Sequence, residues 1–476
     1  MDIVEYKRYS FLEIQNKFGC DETEVMDILK RLKEYGIVKL VNNSQIQLNL
    51  SDLLDSDLEI GDVKKNDCFY VFVYVGLITI SKYIIKCYPK YIQNEKLSEK
   101  EFKQVIKVIK KYNENKKQNI SLFNENPEEI TYNMLSIIIY LIEDYYENGL
   151  YSNYIKVMET DGNGEINWDK TINETQALIH NRKPYYLELY TKKNINDNEN
   201  YFKLLHEFIL TECTKKLKDA KLLNLFDFKA ITLSNNTLND FGSKQYVLYR
   251  INQELNVQFN NRKQSLLKAM YFYIKQEDYY HKDNDSFNCY GTNSYNLVWE
   301  DMCGSVLNNK LKEHLYELNL KNSNIYDKNE TLLSIIEKPK WYLLNELNQC
   351  KKSEEETLIP DSITFYDNEH GLEFIIFDAK YYKWPLNRKP GINDIIKQYI
   401  YELAYEDFMK KNGFVDSKNC FLIPYDGETV ENKGFVELNI LKKLGLKNIQ
   451  VILLPAKTIN QLYIENKELD ISKLKI

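Results

Sequence analysis

The stretch LIPDSITFYDNEHGLEFIIFDAKYY, Leu358 to Tyr382, sets Pro360-Asp361 at the start of a predicted strand pair and Asp378-Ala379-Lys380 near its end. Two acids and a lysine suit hydrolysis of a phosphodiester at a divalent metal. A plain β-hairpin with a solvated rim uses the same residue types. Asp378 and Lys380 are two apart, so on a strand both project from one face. FIIF before them is apolar at every position, as in a strand buried within a sheet. A charged pair at the end of a buried strand is costly without a partner, and a metal ion is a good one. Two carboxylates at about 4 Å and an effective dielectric of about 20 repel by roughly 4 kcal/mol, which a divalent cation removes. Mg²⁺ (or Mn²⁺) takes oxygen ligands and keeps several waters, so Asp361, Asp378 and the Ala379 backbone carbonyl form a plausible donor set. Lys380 can orient or deprotonate the attacking water, or offset charge growing on the phosphorane.

The elements that position these residues read as α/β. SITFY is a strand, DNEHG a turn with Gly371, and LEFIIFDAKYY the returning strand. A basic loop, KWPLNRKPG, leads into the helix INDIIKQYIYELAYEDFMKKNG, and NCFLIPY and NIQVILLPA are two more short buried strands. Upstream, a helix starts near LVWEDMCGSV. Before it come a polar, irregular segment (DNDSFNCYGTNSYN) and one long helix over about 246–279.

The N-terminal half carries a different logic. SFLEIQNKFG is a short amphipathic helix ended by Gly19. DETEVMDILKRLKEYG is a second, with Asp21 as N-cap and Gly36 as C-cap. IVKLVNNSQIQL then predicts strand, Asn-Asn turn and strand, which completes a winged-helix-like module or a small helical interaction module. Residues 68–92 predict two strands with a bend at Gly76 and an end at Pro89. Residues 98–118, 127–148 and 198–223 predict helices. GNGEINW makes a tight turn with Trp168 just beyond it, either a contact finger for a partner or a Trp folded onto the core. The polar stretch 234–245 is the best domain boundary. The expected organisation is 1–50 winged-helix-like, 51–240 mixed α/β, and 245–476 a C-terminal α/β domain.

Composition bounds the rest. At 476 residues two to four domains are expected, and 43% apolar with 28% charged residues is ordinary for a folded protein. A net charge of −7 gives no global basic signature, so nucleic-acid contact must come from local patches. Six Arg stand against 57 Lys, which favours backbone contact over base reading. The eight cysteines are scattered without a C-x-x-C pair, which argues against zinc sites and disulfides and for a reducing cytoplasm. No signal peptide and no membrane span is expected. The sequence contains no G-x-x-x-x-G-K-S/T, so any nucleotide-driven motor is a separate chain.

The P-D…D-A-K pattern resembles the PD-(D/E)XK nuclease signature. Glu300 stands in VWEDM, on an upstream helix where many of these nucleases carry an extra acid. Gln398, with Tyr401, resembles the Q-x-x-Y helix of the RecB-like branch. Their alternatives are a helix acid paired with a lysine, and a polar residue on a solvated helix face. Lys383, Arg388 and Lys389, on the basic loop, are placed to meet a DNA backbone. Tyr381 and Tyr401 are expected to pack rather than react, and His370, in the turn, to lie away from the chemistry. YVGLITISKYIIKCYPKYI and GNGEINWDKTI resemble the LlaJI-type restriction endonucleases, relatives of McrC, from which the winged-helix-like N-terminus is a departure. The resemblance implies a Mg²⁺-dependent nuclease subunit acting on double-stranded DNA. It implies docking onto a McrB-like AAA+ GTPase through the N-terminal half, with Lys90 and Trp168 as contact candidates and a dimer of nuclease subunits within the complex. The alternatives are a winged-helix adaptor with an inactive nuclease fold, or a stand-alone RecB-like repair nuclease.

Overall fold

The computed structural model describes residues 1–42, 68–93, 97–115, 134–152, 154–196, 200–282, 287–342, 350–352, 357–385, 389–442 and 444–476. The chain forms two compact units. The first is discontinuous, Met1–Asn119 with Cys289–Ile476, and the second is Ile120–Asn288.

In the first unit, β1 (Asp2–Val4) and β2 (Arg8–Tyr9) precede α1 (Phe11–Phe18) and α2 (Glu22–Glu34). Ser10 and Glu13 form a reciprocal box at the start of α1: the Ser10 N–H donates to Glu13 Oε2 at 2.7 Å and the Glu13 N–H to Ser10 Oγ at 3.2 Å. Asp21 caps α2, accepting the Glu24 N–H at 2.8 Å. Val25, Ile28, Leu29 and Leu32 are the buried stripe of α2. Then follow β3 (Val38–Asn42), β4 (Cys68–Phe72), β5 (Val75–Ile80), β6 (Tyr83–Tyr88) and α3 (Glu99–Asn115). Residues 68–88 are thus three strands, where two were expected. β4 pairs with β2 and β3, and β5 turns back onto β6 through Ser81, which takes φ 51 without the glycine that would have signalled a turn. The expected second strand of the N-terminal hairpin, 45–48, lies outside the described residues; the antiparallel partner of β3 is β4.

The second unit holds α4 (Met134–Asn148), β7 (Tyr154–Thr160), β8 (Glu165–Ile166), α5 (Trp168–Glu174), β9 (Ala177–His180), β10 (Lys183–Tyr186), β11 (Tyr190–Asn196), α6 (Tyr201–Asp219), α7 (Lys244–Val257) and α8 (Asn261–Lys282). β7, β11 and β8 form one antiparallel sheet and β9–β10 a separate hairpin. Arg262 braces the helices: Nε and Nη2 donate to the two oxygens of buried Asp144 at 2.9 and 2.7 Å, and Nη2 also to the Gly149 carbonyl at 2.8 Å. The single helix expected over 246–279 is two. Gln258 is extended (φ −89, ψ 124), and Asn260 restarts the helix by accepting the Lys263 N–H at 3.1 Å. The polar stretch 234–245 is interior to this unit, not a boundary. Its Phe241 is buried against Tyr201 and Phe208, with ring centroids 5.8 and 5.6 Å away.

The chain re-enters the first unit through β12 (Phe287–Thr292), where an irregular segment was expected, and α9 (Tyr295–Val306). β12 completes the sheet β1-β6-β5-β12. Gly76 and Gly291 meet there so closely that a Cβ on Gly76 would lie 2.3 Å from the Tyr290 carbonyl oxygen, which explains the glycines in a strand. After α10 (Leu332–Ile335), β13 (Lys340–Tyr342) and β14 (Cys350–Lys352) come β15 (Ser362–Asn368), β16 (Gly371–Ala379), α11 (Ile392–Asn412), β17 (Asp416–Tyr425), β18 (Glu431–Val436), α12 (Asn439–Lys442), β19 (Ile449–Pro455) and α13 (Ala456–Ile464). The five-stranded sheet has the order β15-β16-β17-β19-β18. Its three central strands are parallel and its edges antiparallel. On one face Ile363, Phe374 and Ile376 pack against Tyr401, Tyr405 and Phe408 of α11. The mixed α/β class expected from the sequence is borne out.

Candidate active site

The core register of β15 and β16 dictates where the site lies. Ile363, Phe374 and Ile376 face α11, so strand alternation puts Asp361, Asp378 and Lys380 on that same face, at the ends of two paired strands. The structure brings them together. The Ala379 N–H donates to Asp361 Oδ2 at 2.8 Å, which holds the first acid against the backbone beside the second. Lys380 Nζ lies 2.8 Å from Asp378 Oδ2 and 3.1 Å from Asp394 Oδ1.

Asp394 was not anticipated. It sits in the first turn of α11, where its other oxygen accepts the Gly391 N–H at 3.1 Å. The signal was there: Asp394 stands four residues before Gln398, hence on the same helix face. Gln398 is fully buried, not on a solvated face, and lies beside Asp378, whose charge it stabilises. Neither its Oε1 nor its Nε2 completes a well-aligned hydrogen bond. Tyr401 is buried, as expected, but also works: its hydroxyl donates to the Ile359 carbonyl, just ahead of Pro360-Asp361, at 2.9 Å.

A second clamp was not legible in the sequence. Asn309 Oδ1 accepts the Leu311 and Ile363 N–H groups, both at 3.0 Å, and its Nδ2 donates to the Asp361 carbonyl at 3.2 Å. The Lys310 N–H adds a bond to the Ile363 carbonyl at 2.7 Å. Residues 309–310 therefore satisfy the open edge of β15 as a short strand would. Asn309 also lines a cleft of about 740 Å³ with Glu300, Asp301, Lys312, Pro360 and Asp361.

Electrostatics mark the site. Burial, then the Asp378 and Glu300 charges, push the Asp361 carboxyl up to about 7, against the pull of the Ala379 N–H and Lys380. Burial also raises Asp378, and Lys380 pulls it back. Burial alone would lower Lys380, but Asp378 and Asp394 outweigh it and hold the amine protonated. Asp378 and Asp394 thus flank one ammonium, with Asp361 beside them and the Glu300 charge felt at Asp361, an excess of acid that favours a further cation. Among the described residues no three His, Cys, Asp or Glu side chains close into a metal cage. An open set of two carboxylates suits a hard ion that keeps its waters, and the unmet polar atoms of Gln398 fit the same environment.

The other anticipated residues lie as follows. Lys383 and Lys389 are exposed on the connection between β16 and α11, and Arg388 lies outside the described residues. His370 is exposed in the β15–β16 turn. Trp168 opens α5 in the second unit and is 53% exposed, so it does not fold onto a core. Lys90 is not a surface residue. It is 9% exposed, with its ammonium 4.3 Å from the centre of the Tyr381 ring and 4.8 Å from that of Tyr6.

The model of the family described as LlaJI restriction endonuclease matches residues 74–457. The chain belongs to this family. It is 27% identical over 422 residues, 83% of this chain and 81% of the relative, to the Bacillus subtilis (strain 168) protein described as type II restriction enzyme BsuMI component YdjA. Among solved structures it is similar to a chain of the refined half-complex from a tetradecameric assembly of Thermococcus gammatolerans McrB AAA+ hexamers with bound McrC. That match has TM-score 0.38 and 12% identity, and covers 98% of both chains. A chain of the cryo-EM structure of the Thermococcus gammatolerans McrBC complex matches at TM-score 0.23 and 11% identity, over 58% of this chain and 79% of that one. Superpositions of that quality carry no weight for fold or function. The restriction-nuclease assignment rests on the LlaJI family match. Among the described residues no helix is long and apolar enough to cross a membrane.

Proposed function

We propose that this LlaJI-family chain is the metal-dependent DNA endonuclease subunit of a restriction system, with its catalytic centre at Asp361, Asp378 and Lys380. The observation that carries the reading is the meeting of those three side chains at the ends of β15 and β16, with Gln398 beside them. On this reading the five-stranded sheet and α11 are a PD-(D/E)XK core, and α1, α2 and the β2-β4-β3 sheet are a winged-helix-like module.

Asp361 and Asp378 would hold Mg²⁺ or Mn²⁺, with Glu300 at the rim of the cleft. The Ala379 carbonyl is a further donor, because on a strand it leaves the same edge as the N–H that Asp361 accepts. The bound ion supplies Lewis-acid polarisation of the phosphate and a lowered pKa for water. Lys380, kept protonated between two acids, acts as a donor that orients the nucleophile and offsets charge developing on phosphate, not as the base. Gln398 has donor and acceptor capacity left to place water or a phosphate oxygen. Lys383, Arg388 and Lys389 contact the DNA backbone on the way out of the site.

One site cuts one strand, so a double-strand break needs two copies of the chain or two encounters. The Bacillus relative is described as a component of a restriction enzyme, and this chain lacks a phosphate-binding loop. Both fit a reading in which a McrB-like AAA+ GTPase is a separate partner chain, with Trp168 as a contact. The test is cleavage of closed circular DNA in Mg²⁺, with and without the partner and GTP. Asp378→Ala and Lys380→Ala should each lower cutting by about 10²–10⁴-fold while leaving circular dichroism unchanged. Wild-type rates from either variant would refute the assignment.

A further inference from the structure

One buried ionisable cluster lies outside the chemistry described above. Glu5, directly after β1, is 3% exposed. The Tyr381 hydroxyl donates to Glu5 Oε2 at 2.6 Å across 376 residues of chain. The Lys90 backbone N–H donates to both of them, to Glu5 Oε2 at 3.3 Å and to the Tyr381 hydroxyl at 3.2 Å. The Lys90 ammonium covers the Tyr6 and Tyr381 rings. Tyr91 and Tyr295 enclose the group, with ring centroids 6.3 and 5.3 Å from that of Tyr381. A buried carboxylate and ammonium are expensive to desolvate, and pairing β1 with β6 needs neither. What the arrangement does specify is where Tyr381 sits.

Tyr381 is the residue after Lys380. The backbone of Lys380 is held on one side by its N–H to the Leu422 carbonyl at 2.9 Å. On the other side the chain is held by the Tyr381 side chain and by the turn of the Tyr382 N–H onto the Lys380 carbonyl at 2.9 Å. We infer that Glu5 and Tyr381 are positioning residues for Lys380, so that the N-terminal segment is a working part of the nuclease centre. The inference rests on the reading of Lys380 as the catalytic lysine. It also implies that a displacement of β1 or of the Lys90 backbone is felt at the amine, through two hydrogen bonds.

The test uses the full-length chain and two variants. Tyr381→Phe removes only the hydroxyl, and Glu5→Gln removes the charge. Competitive dimethylation of lysines, read by mass spectrometry, should show Lys380 reacting several-fold faster in both variants. Lys418, paired with Glu373 at 2.8 Å in the same sheet, serves as the control and should not change. Single-turnover cleavage of DNA should fall about tenfold, with the Kd for DNA unchanged. Should Glu5→Gln fail to fold, Tyr381→Phe decides. Unchanged labelling of Lys380 in Tyr381→Phe overturns the inference. Altered labelling in the variants, together with a wild-type protein that cuts no DNA under any condition, would leave the pin standing and overturn the nuclease reading instead.

Discussion

The hydroxyl of Tyr401 donates to the carbonyl of Ile359, 42 residues earlier, at 2.9 Å. The helix that presents Gln398 to Asp378 therefore also tethers the loop that carries Asp361. One turn further back, the same helix supplies Asp394 to Lys380. α11 thus sets three members of the site from one rigid element, which keeps their relative positions when the loops around them move.

Tyr401→Phe keeps the ring in its core and deletes that tether. A net loss of about 1 kcal/mol of stability is expected, with a drop in cleavage of about fivefold or more because the Asp361 loop is freed. Chemical denaturation and single-turnover cleavage measure the two separately. Equal rates for variant and wild type would mean that the Asn309 and Ala379 bonds hold the loop without it.

The raised acids fix a pH dependence. Asp361 keeps its proton up to about 7 in the fold and gives it up near the ordinary 3.8 when unfolded. The folded state therefore binds more protons between those values, and the metal-free protein loses stability as pH rises through that window. Metal binding has the opposite slope, because the carboxylate must be deprotonated to act as a ligand. Mn²⁺ affinity, followed by paramagnetic resonance, should tighten about fivefold from pH 6 to pH 7, and the Tm of metal-free protein should fall across the same range. In Asp361→Asn both slopes should flatten. A Tm slope identical in the variant and wild type would rule out Asp361 as its source.

On the proposed reading, Lys383 and Lys389 contact the DNA backbone. Changing each to Gln should weaken DNA binding similarly on every sequence and lower the slope of log Kd against log salt by about one per lysine. Fluorescence anisotropy at several salt concentrations gives the slope. Loss of sequence preference with an unchanged slope would place these lysines at base edges instead.

In the second unit, Arg262→Ala strands the buried Asp144 carboxylate without its two guanidinium hydrogen bonds. A loss of about 3 kcal/mol or more is expected. Arg262→Lys should restore only part of it, because an ammonium cannot make the paired contact. Thermal melting of the full-length chain checks both, and a change below about 1 kcal/mol in Arg262→Ala would show the bridge to be idle.

The strands bearing Asp361, Asp378 and Lys380 were legible because their logic is local: a period of two, a short turn, and charge where burial is expensive. Gln398 and Tyr401 were read through their resemblance to a Q-x-x-Y helix, and a spacing of three sets both on one helix face. Asp394 was passed over because an acid in a first helical turn is ordinary, and its pairing with Lys380 depends on how α11 meets β16. Asn309 left no trace in the pattern, since its task is to hydrogen-bond backbone groups 52 and 54 residues away. Lys90 reads as a surface lysine in any window, and only the rings of Tyr6 and Tyr381 explain its burial. The division of the chain was misjudged for a related reason. A scan along the sequence looks for contiguous blocks, whereas the first unit is assembled from two separated stretches.

That discontinuity has a consequence for synthesis. A ribosome makes β1, β6 and Glu5 first, then the whole of residues 120–288, and only afterwards the strands bearing Asp361, Asp378 and Lys380. Until Tyr381 emerges, Glu5 has no phenol to accept from. A nascent chain, or one cut within the inserted unit before the ends have met, holds either the anchor or the acids but not both. Such a chain carries no assembled candidate site until translation has passed β17 and β19, the strands that close the sheet behind it.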